Sequence, residues 1–362
     1  MPTRRILALQ DAAGSVQNIL ESLVISGTQM AGAKDADLRD TVRRLLIVAF
    51  EGGLPSDAGP RSVKQALRSV QVAGVFIRGD NVENTPQLHE LTASLSEPGN
   101  TPAIVMIDSS AGAERAFAQA SGLESIPTAR EVGAIGDALG AFELYRDMAA
   151  ELSTLGITMN LGASADVCPQ DAAVEMRNCF GSAPLPAAVL ATAFTLAHEE
   201  SHVLTAMRYT LSAEHQASVE ILREMLKRKG PDALVIGSGG PAALDRETTA
   251  RFISSLRAAG FADAVILDRS ETPADEAGLA DALEAGADMI IMPNGNDQDA
   301  DATTLAIEGV RSALDSGKLT RSRLDEAGKR ADALTARLKA WAPDAMSQSG
   351  DTTSSIGGHT PH

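Results

Sequence analysis

The segment VLTAMRYTLSAEHQAS, residues 203–218, leads from an apolar run into side chains that could do acid–base chemistry. Its β-branched, apolar beginning predicts a buried strand, and Arg208 and Tyr209 come where that strand should end. Glu214 and His215 follow in the polar part of the segment. A carboxyl or an imidazole group that transfers protons is typical of an active-site rim. The segment therefore indicates a candidate active site.

HEESH, residues 198–202, is a second candidate because it matches the HExxH motif of zinc hydrolases. On a helix, His198 and His202 would share one face, and the glutamate after the first histidine would act as a base. Glu220 or Glu224 would then be the third ligand. The alternative is the polar end of an amphipathic helix, on the side of the fold away from the reactive loops. Since so short a pattern arises by chance, we assign no metal ligands and keep a zinc hydrolase as a remote alternative.

Eight short apolar runs, rich in β-branched residues, must position these side chains. The runs are LLIVAF (45–50), GVFIRG (74–79), AIVMID (103–108), ITMNLG (157–162), VLTAMRY (203–209), ALVIGS (233–238), AVILD (264–268) and MIIMPN (289–294). Continuous apolar runs are typical of parallel strands that are buried on both faces. Amphipathic, Ala-rich helical segments separate them, for example at 138–156, 185–202 and 245–260.

Eight strand–helix units predict an α/β protein with a single (β/α)8 TIM-type barrel. A doubly wound open sheet is the runner-up, although no GxGxxG motif follows the first strand. We expect helices that cap the barrel in residues 1–40, the barrel itself in 41–342, and a disordered Gly/Ser/Thr-rich tail in 343–362.

The active site of a barrel lies at the carboxyl ends of its strands, so the polar residues that follow each run are the site candidates. They are Glu51, Asp80, Asn81, Asp108, Asp166, Arg208, Tyr209, Ser238, Asp268 and Asn294.

Composition excludes several classes of partner. The formal net charge of −17 argues against nucleic acid and anionic membrane as partners, because both need a basic surface. No apolar run is long enough for a membrane span. No signal peptide is evident, so we expect a cytoplasmic location. Cys168 and Cys179 could form one bridge or stay reduced, and no cofactor is expected.

Several motifs in order resemble the N-terminal barrel of glycoside hydrolase family 3, in its single-domain bacterial β-N-acetylglucosaminidase (β-hexosaminidase) branch. They are IPTAREVGAIGDALGAFELYRDMAAELSTLGITMNLGASADV, GSAPLPAAVLATAF, LRAAGFADAVILD and ALEAGADMIIMP. GVFIRGDNVENTPQLHELTASL is similar to the second strand of the family and the helix after it. The resemblance runs from about residue 40 to about residue 342, which is nearly the whole predicted barrel.

The resemblance implies retaining glycosidase chemistry, in which a carboxylate attacks the sugar and a second group protonates the leaving oxygen. Asp268 occupies the position of the family's nucleophile, although an Asp after a strand is also a common helix N-cap. Asp108 would accept hydrogen bonds from sugar hydroxyls. The other implied sugar-binding residues are Asp166, Arg115, Arg177, Arg208 and Tyr209.

The loop that should carry the acid/base departs most from the family pattern. The family's K-H-F-P-G-H-G falls on RYTLSAE, residues 208–214, so that Arg208 replaces the Lys and Tyr209 the first His. The D-S-H that supplies the acid/base in this branch does not occur. About twenty residues follow the predicted barrel, so we do not expect the second domain that supplies the acid/base elsewhere in the family. The motif D-x-E-GG-R-V-x-R is also reduced, to DSSAGAERA.

Two functions from different classes follow. The first is a catalytically impaired barrel that binds an amino sugar or a peptidoglycan-derived saccharide, or that has a regulatory role with a protein partner. Loss of acid/base assistance alone costs about 10²–10⁴-fold in rate. The second is an active retaining O-glycosyl hydrolase whose acid/base is rebuilt from Glu214 or His215, with Tyr209 as a further candidate.

Overall fold

Eight parallel strands close into one barrel in the order β1 to β8, with β8 pairing back onto β1. The computed structural model describes residues 35–96, 102–109, 127–168, 178–210, 215–237, 245–293 and 302–341, and side chains at 215–217 are excepted. The strands are β1 (Leu46–Ala49), β2 (Gly74–Ile77), β3 (Ile104–Asp108), β4 (Met159–Ser164), β5 (Leu204–Thr210), β6 (Ala233–Gly237), β7 (Ala264–Asp268) and β8 (Met289–Pro293). The predicted (β/α)8 fold is confirmed.

Helices on the outside of the barrel connect the strands. They are α1 (Ala58–Arg68), α2 (Thr85–Leu95), α3 (Ala129–Ile135), α4 (Ala138–Thr154), α5 (Pro184–Glu200), α6 (His215–Leu226), α7 (Arg246–Ala258), α8 (Ala277–Glu284), α9 (Ala302–Asp315) and α10 (Arg321–Trp341). Residues 35–43 are also helical and precede β1. The expected cap at 1–40 and the expected tail at 343–362 lie largely or wholly outside the described residues.

Local sequence sets where these elements begin. Asn84 and Asp245 each accept a hydrogen bond from a backbone N–H in the first turn of the helix that follows. Thr128 and Glu131 form a capping box at the start of α3. Helix α5 is apolar on most of its surface because it packs between α4 and α6 as well as on the barrel.

Helix α10 lies across the amino-terminal end of the barrel and is held there by arginines seven residues apart. Arg323 and Arg330 both donate to Asp288, at 2.9 and 3.0 Å, and Arg337 pairs with Asp232. The Asp288 side chain is fully buried just before β8 and also accepts a hydrogen bond from Arg257 of α7 at 2.5 Å. A spacing of seven residues places side chains on one helix face, so α10 ties β6, β7 and β8 together at this end.

A disulfide joins Cys168 to Cys179. Both cysteines are buried, and they close the segment that leads from β4 toward α5. The Cys168 N–H donates to the Gly181 carbonyl at 3.0 Å. The backbone of Cys179 pairs with that of Ser164, the last residue of β4, in an isolated parallel β-bridge. The sequence left bridged and reduced cysteines as alternatives, and the structure has the bridged form.

Candidate functional site

Arg208 joins two carboxylates at the carboxyl end of the barrel. Its side chain rises from β5, and its Nη2 donates to Asp108 Oδ2 of β3 at 2.7 Å. Its Nη1 donates to Asp268 Oδ2 of β7 at 3.1 Å. Three residues that the sequence predicted as site residues, from three different strands, therefore meet where the active site of a barrel is expected.

Charge and burial make this arrangement strong. The side chains of Asp108, Arg208 and Asp268 are between 12% and 21% exposed. Burial alone would lower the pKa of Arg208, but the two carboxylates more than offset that effect and raise the pKa above its usual value. Charge-assisted hydrogen bonds in a partly desolvated site are roughly twice as strong as neutral ones. The guanidinium therefore stays charged and fixes both carboxylates.

Asp268 is held from the other side by its own turn. Its Oδ1 accepts hydrogen bonds from the backbone N–H of Ser270 at 3.1 Å and from the Ser270 hydroxyl at 2.7 Å. This is an Asx-turn, in which an Asp at the end of a strand binds the backbone two residues later. Together with Arg208 on Oδ2, Ser270 leaves the carboxylate of Asp268 with three protein donors.

Asp166 lies beside Asp108, Arg208 and Asp268, but its hydrogen bonds connect the ends of β4 and β5. It accepts a hydrogen bond from the Ser164 hydroxyl at 2.7 Å and from the Thr210 N–H at 3.0 Å. Burial raises the pKa of Asp166 to about 6, although the Ser164 and Thr210 hydrogen bonds and the charge of Arg208 oppose the rise. Asp166 thus ties the end of β4 to the last residue of β5.

Tyr209 does not join the site, so its expected contact with the sugar needs correction. Its side chain is 1% exposed and stacks on Phe252 of α7, with ring centroids 4.0 Å apart. Its hydroxyl interacts with Ser218 of α6, and burial raises its pKa. Consecutive strand residues point to opposite faces, so Arg208 faces the barrel and Tyr209 must face the helices.

Other predicted site residues lie outside the described residues or away from the trio. Glu214, Arg115, Arg177, Ser238 and Asn294 are outside the described residues, and the side chain of His215 is not described. Their roles stay predictions.

The polar residues that follow β1 and β2 lie at the same end of the barrel. Asn81 is buried and donates to the Phe50 and Gly52 carbonyls, which joins the turns after these two strands. Asp80 pairs with Arg78 at the surface, and Glu51 is exposed.

The HEESH segment does not form a zinc site, because its histidines do not share a helix face. Helix α5 ends at Glu200, and His202 has a positive φ of 59° and stacks on Trp341 of α10. His198 points the other way, into the layer between helix and barrel, and is fully buried. Among the described residues, no group of three or more His, Cys, Asp or Glu side chains could hold a metal ion.

Sequence reasoning missed Ser270 and Ser164, which orient Asp268 and Asp166. A usable signal existed for Ser270, because Asp-x-Ser after a strand is a typical Asx-turn sequence. Ser164 and Asp166 have the same spacing in reverse. Both serines lie within two residues of the acid that they support, so this part of the site is locally encoded.

Asp108, Arg208 and Asp268 combine hydrogen-bond acceptors with a donor. Carboxylates accept hydrogen bonds from hydroxyl groups, and a guanidinium donates to ring and hydroxyl oxygens.

None of the helices in the described part of the chain combines the length and the hydrophobicity needed to cross a bilayer.

Residues 37–217 match the family model described as the glycosyl hydrolase family 3 N-terminal domain. No curated protein sequence matches the chain.

Solved structures of family 3 enzymes share the fold. A β-N-acetylglucosaminidase from Paenibacillus superposes with a TM-score of 0.67 at 23% identity, over 88% of this chain and 66% of that enzyme. A family 3 glycosyl hydrolase from Mycobacterium smegmatis gives 0.63 at 20% identity, over 82% of this chain and 96% of its own. A β-N-acetylhexosaminidase from Beutenbergia cavernae gives 0.63 at 19% identity, over 83% and 98%. This chain thus spans slightly less than two thirds of the Paenibacillus enzyme and nearly all of the other two.

Proposed function

Because the chain belongs to glycosyl hydrolase family 3, we propose that its barrel binds an amino sugar at Asp108, Arg208 and Asp268 without hydrolysing it efficiently. The observation that carries this proposal is that Arg208 forms ion pairs with both carboxylates, Asp108 and Asp268. A retaining glycosidase needs a carboxylate oxygen that is free to attack the sugar. At the nucleophile position of this chain, that carboxylate is already engaged.

The three donors on Asp268 support low nucleophilicity. Arg208 on one oxygen and Ser270 on the other stabilise the negative charge that would attack the sugar. Hydrogen bonds to a charged group contribute about 1.5–3 kcal/mol each. Any part of this stabilisation that is lost as the carboxylate bonds to the sugar adds to the barrier of the first chemical step.

The acid/base half of the mechanism lacks support as well. Tyr209, one of the three replacement candidates, is buried against Phe252 and faces away from the barrel interior. Glu214 and His215 stay predictions. Asp166, the carboxyl with a raised pKa, has its oxygens occupied by Ser164 and Thr210.

The second candidate function is an active retaining hydrolase with Glu214 or His215 as a rebuilt acid/base. One observation favours it: Asp268 and Asp108 are both retained and both face the same opening of the barrel, through their contacts with Arg208. A ligand that displaced Arg208 from Asp268 would free the nucleophile.

The family and its structural neighbours support a ligand class. Two of the superposed structures are described as a β-N-acetylglucosaminidase and a β-N-acetylhexosaminidase. We therefore propose an N-acetylated amino sugar, with a peptidoglycan-derived saccharide as one source. A regulatory role with a protein partner is the alternative if no sugar binds.

The disulfide bears on location. Cytosolic reductants keep most thiols reduced, so a buried bridge between Cys168 and Cys179 supports an oxidising compartment. It does not support the cytoplasmic location that the sequence led us to expect.

Calorimetric titration with N-acetylglucosamine tests the binding proposal. We expect saturable binding that Asp108→Ala removes and that Asp80→Ala, an exposed Asp at the same end of the barrel, leaves unchanged. Turnover of an aryl β-N-acetylglucosaminide should not exceed that of Asp268→Asn. Turnover that depends on Asp268 would establish the hydrolase instead, and the absence of both binding and turnover would leave the protein-partner role.

A further inference from the structure

A chain of three buried polar side chains runs from helix α5 through the barrel wall to the residue after Asp108. His198 of α5 contacts Asn160 of β4 through its Nε2 at 2.9 Å from Nδ2. Asn160 Oδ1 accepts a hydrogen bond from the Ser109 hydroxyl at 2.7 Å. All three side chains are at most 1% exposed. The chain uses the first histidine of HEESH, which the zinc interpretation could not explain.

The hydrogen bonds fix the direction of every donor in this chain. His198 Nδ1 lies 2.9 Å from the Phe194 carbonyl, which only accepts, so Nδ1 carries the proton and Nε2 accepts from the Asn160 amide. Burial lowers the pKa of His198 to about 4, so the ring is neutral at pH 7. Since the Asn160 amide nitrogen then faces His198, its oxygen must face Ser109.

The absence of a side chain at Gly162 leaves room for these hydrogen-bonded side chains. A Cβ on Gly162 would lie 2.7 Å from Ser109 Oγ, 2.8 Å from Asn160 Nδ2 and 2.9 Å from Phe194 Cζ. Two of these three atoms belong to the hydrogen-bonded chain itself. Gly162 also lies where the pairing of β4 with β5 shifts register, between Leu161 and Ala163. The backbone of β4 is thus shaped around these side chains.

The position of Ser109 connects the chain to the site. Ser109 follows Asp108 directly, and its N–H donates to the Leu161 carbonyl at 3.0 Å. Side chains of consecutive residues in extended backbone point to opposite sides. With the Ser109 hydroxyl held toward the helix layer, the Asp108 carboxylate is directed into the barrel, where it meets Arg208.

We propose that His198 is a positioning residue that acts through Asn160 and Ser109 to hold Asp108 against Arg208. Its effect on sugar affinity rests on the proposed function, but its effect on the Asp108–Arg208 ion pair does not. The two can therefore be tested separately.

The ligand-free test observes the guanidinium of Arg208 by ¹⁵N–¹H NMR on the full chain. In the native protein, ion pairs on both terminal nitrogens should slow the rotation of the guanidinium and give separate Nη signals. Ser109→Ala and His198→Phe should both merge or broaden these signals, and Ser109→Thr, which keeps the hydroxyl, should restore them. His202→Ala, the matched control from the same segment, should leave them unchanged.

The sugar test measures affinity for N-acetylglucosamine. We expect Ser109→Ala and His198→Phe each to weaken binding about tenfold, the equivalent of one hydrogen bond to a charged group. The double variant Ser109→Ala/His198→Phe should bind N-acetylglucosamine no more weakly than the weaker-binding single variant. Both substitutions interrupt the same series of hydrogen bonds.

The two tests separate the proposals. Unchanged Arg208 signals in both Ser109→Ala and His198→Phe, with only a lower unfolding midpoint, would overturn the positioning role. If the native protein does not bind N-acetylglucosamine, the proposed function fails, and the NMR result still decides the role of His198. If His198→Phe does not fold, Ser109→Ala and Ser109→Thr carry the test, since the first removes only one buried hydroxyl and the second keeps it.

Discussion

Arg208 Nη1 lies 3.1 Å from Asp268 Oδ2, so the carboxylate that we propose for the nucleophile position is paired with a cation from β5. The same guanidinium also binds Asp108. Arg208 therefore places a fixed positive charge beside both carboxylates.

Arg208→Gln should destabilise the protein. It leaves the carboxylates of Asp108 and Asp268 facing each other, and breaking a buried ion pair costs about 3–5 kcal/mol. Partial exposure of the site reduces the expected loss in the free energy of unfolding to about 2 kcal/mol at pH 7. Urea unfolding at pH 7 measures the loss.

Arg269→Gln is the matched control for this change. Arg269 follows Asp268 directly but pairs with Asp275 at the surface, where ion pairs contribute little. Equal effects of the two substitutions at pH 7 would mean that Arg208 does not stabilise the site.

Asp166→Asn should change how stability depends on pH. Burial raises the folded-state pKa of Asp166 from 3.8 to about 6, so the folded protein holds a proton that the unfolded chain releases. This contribution is fully present below pH 3.8 and is lost as the pH rises through about 6. Between those values the native protein should lose roughly 3 kcal/mol that the Asn variant keeps.

The measurement is the difference in free energy of unfolding between native protein and Asp166→Asn from pH 3.5 to 7.5. Asp147→Asn, which removes an exposed carboxyl from α4, is the control and should show a flat difference. A flat difference for Asp166→Asn too would show that this carboxyl titrates normally.

Reduction of the disulfide should lower stability by about 3 kcal/mol, the loop-closure value for a bridge of this sequence separation. Cys168→Ser/Cys179→Ser should unfold at the same urea concentration as the reduced protein. Thiol labelling of the unfolded, unreduced protein gives a direct check. Two reactive thiols under those conditions would mean that the bridge does not form.

Asp288→Asn should destabilise the barrel by about 3–5 kcal/mol, because Arg257, Arg323 and Arg330 would then surround a neutral amide. Asp325→Asn breaks an exposed pair with Arg321 on the same helix and should have almost no effect. Thermal unfolding of both variants tests whether α10 is held by this cluster. Equal melting temperatures would assign its attachment to apolar packing alone.

The barrel was predictable because its strands are continuous apolar runs, and each lies within two residues of its expected position. Asp108, Arg208 and Asp268 could be grouped because parallel strands bring their carboxyl ends to one opening. Tyr209 was misplaced although the sequence held the signal: it adjoins Arg208 on one strand, so both cannot face inward.

Other features depended on contacts between distant segments. Helix α5 ends two residues before His202, and no pattern around HEESH predicts the positive φ of that histidine. The chain from His198 through Asn160 to Ser109 joins residues 38 and 51 positions apart, and only the folded barrel brings them together. The ion pairs of α10 with Asp288 and Asp232 also join distant parts of the sequence.

Mass spectrometry with an activated substrate is the most direct test of whether Asp268 can act as a nucleophile. A dinitrophenyl β-N-acetylglucosaminide needs no acid assistance, so it probes the nucleophile alone. We predict no glycosyl adduct on the native protein and no dinitrophenolate release above that of Asp268→Asn. A covalent glycosyl adduct on Asp268, with release that Asp268→Asn abolishes, would contradict the claim that Arg208 and Ser270 hold this carboxylate out of reaction.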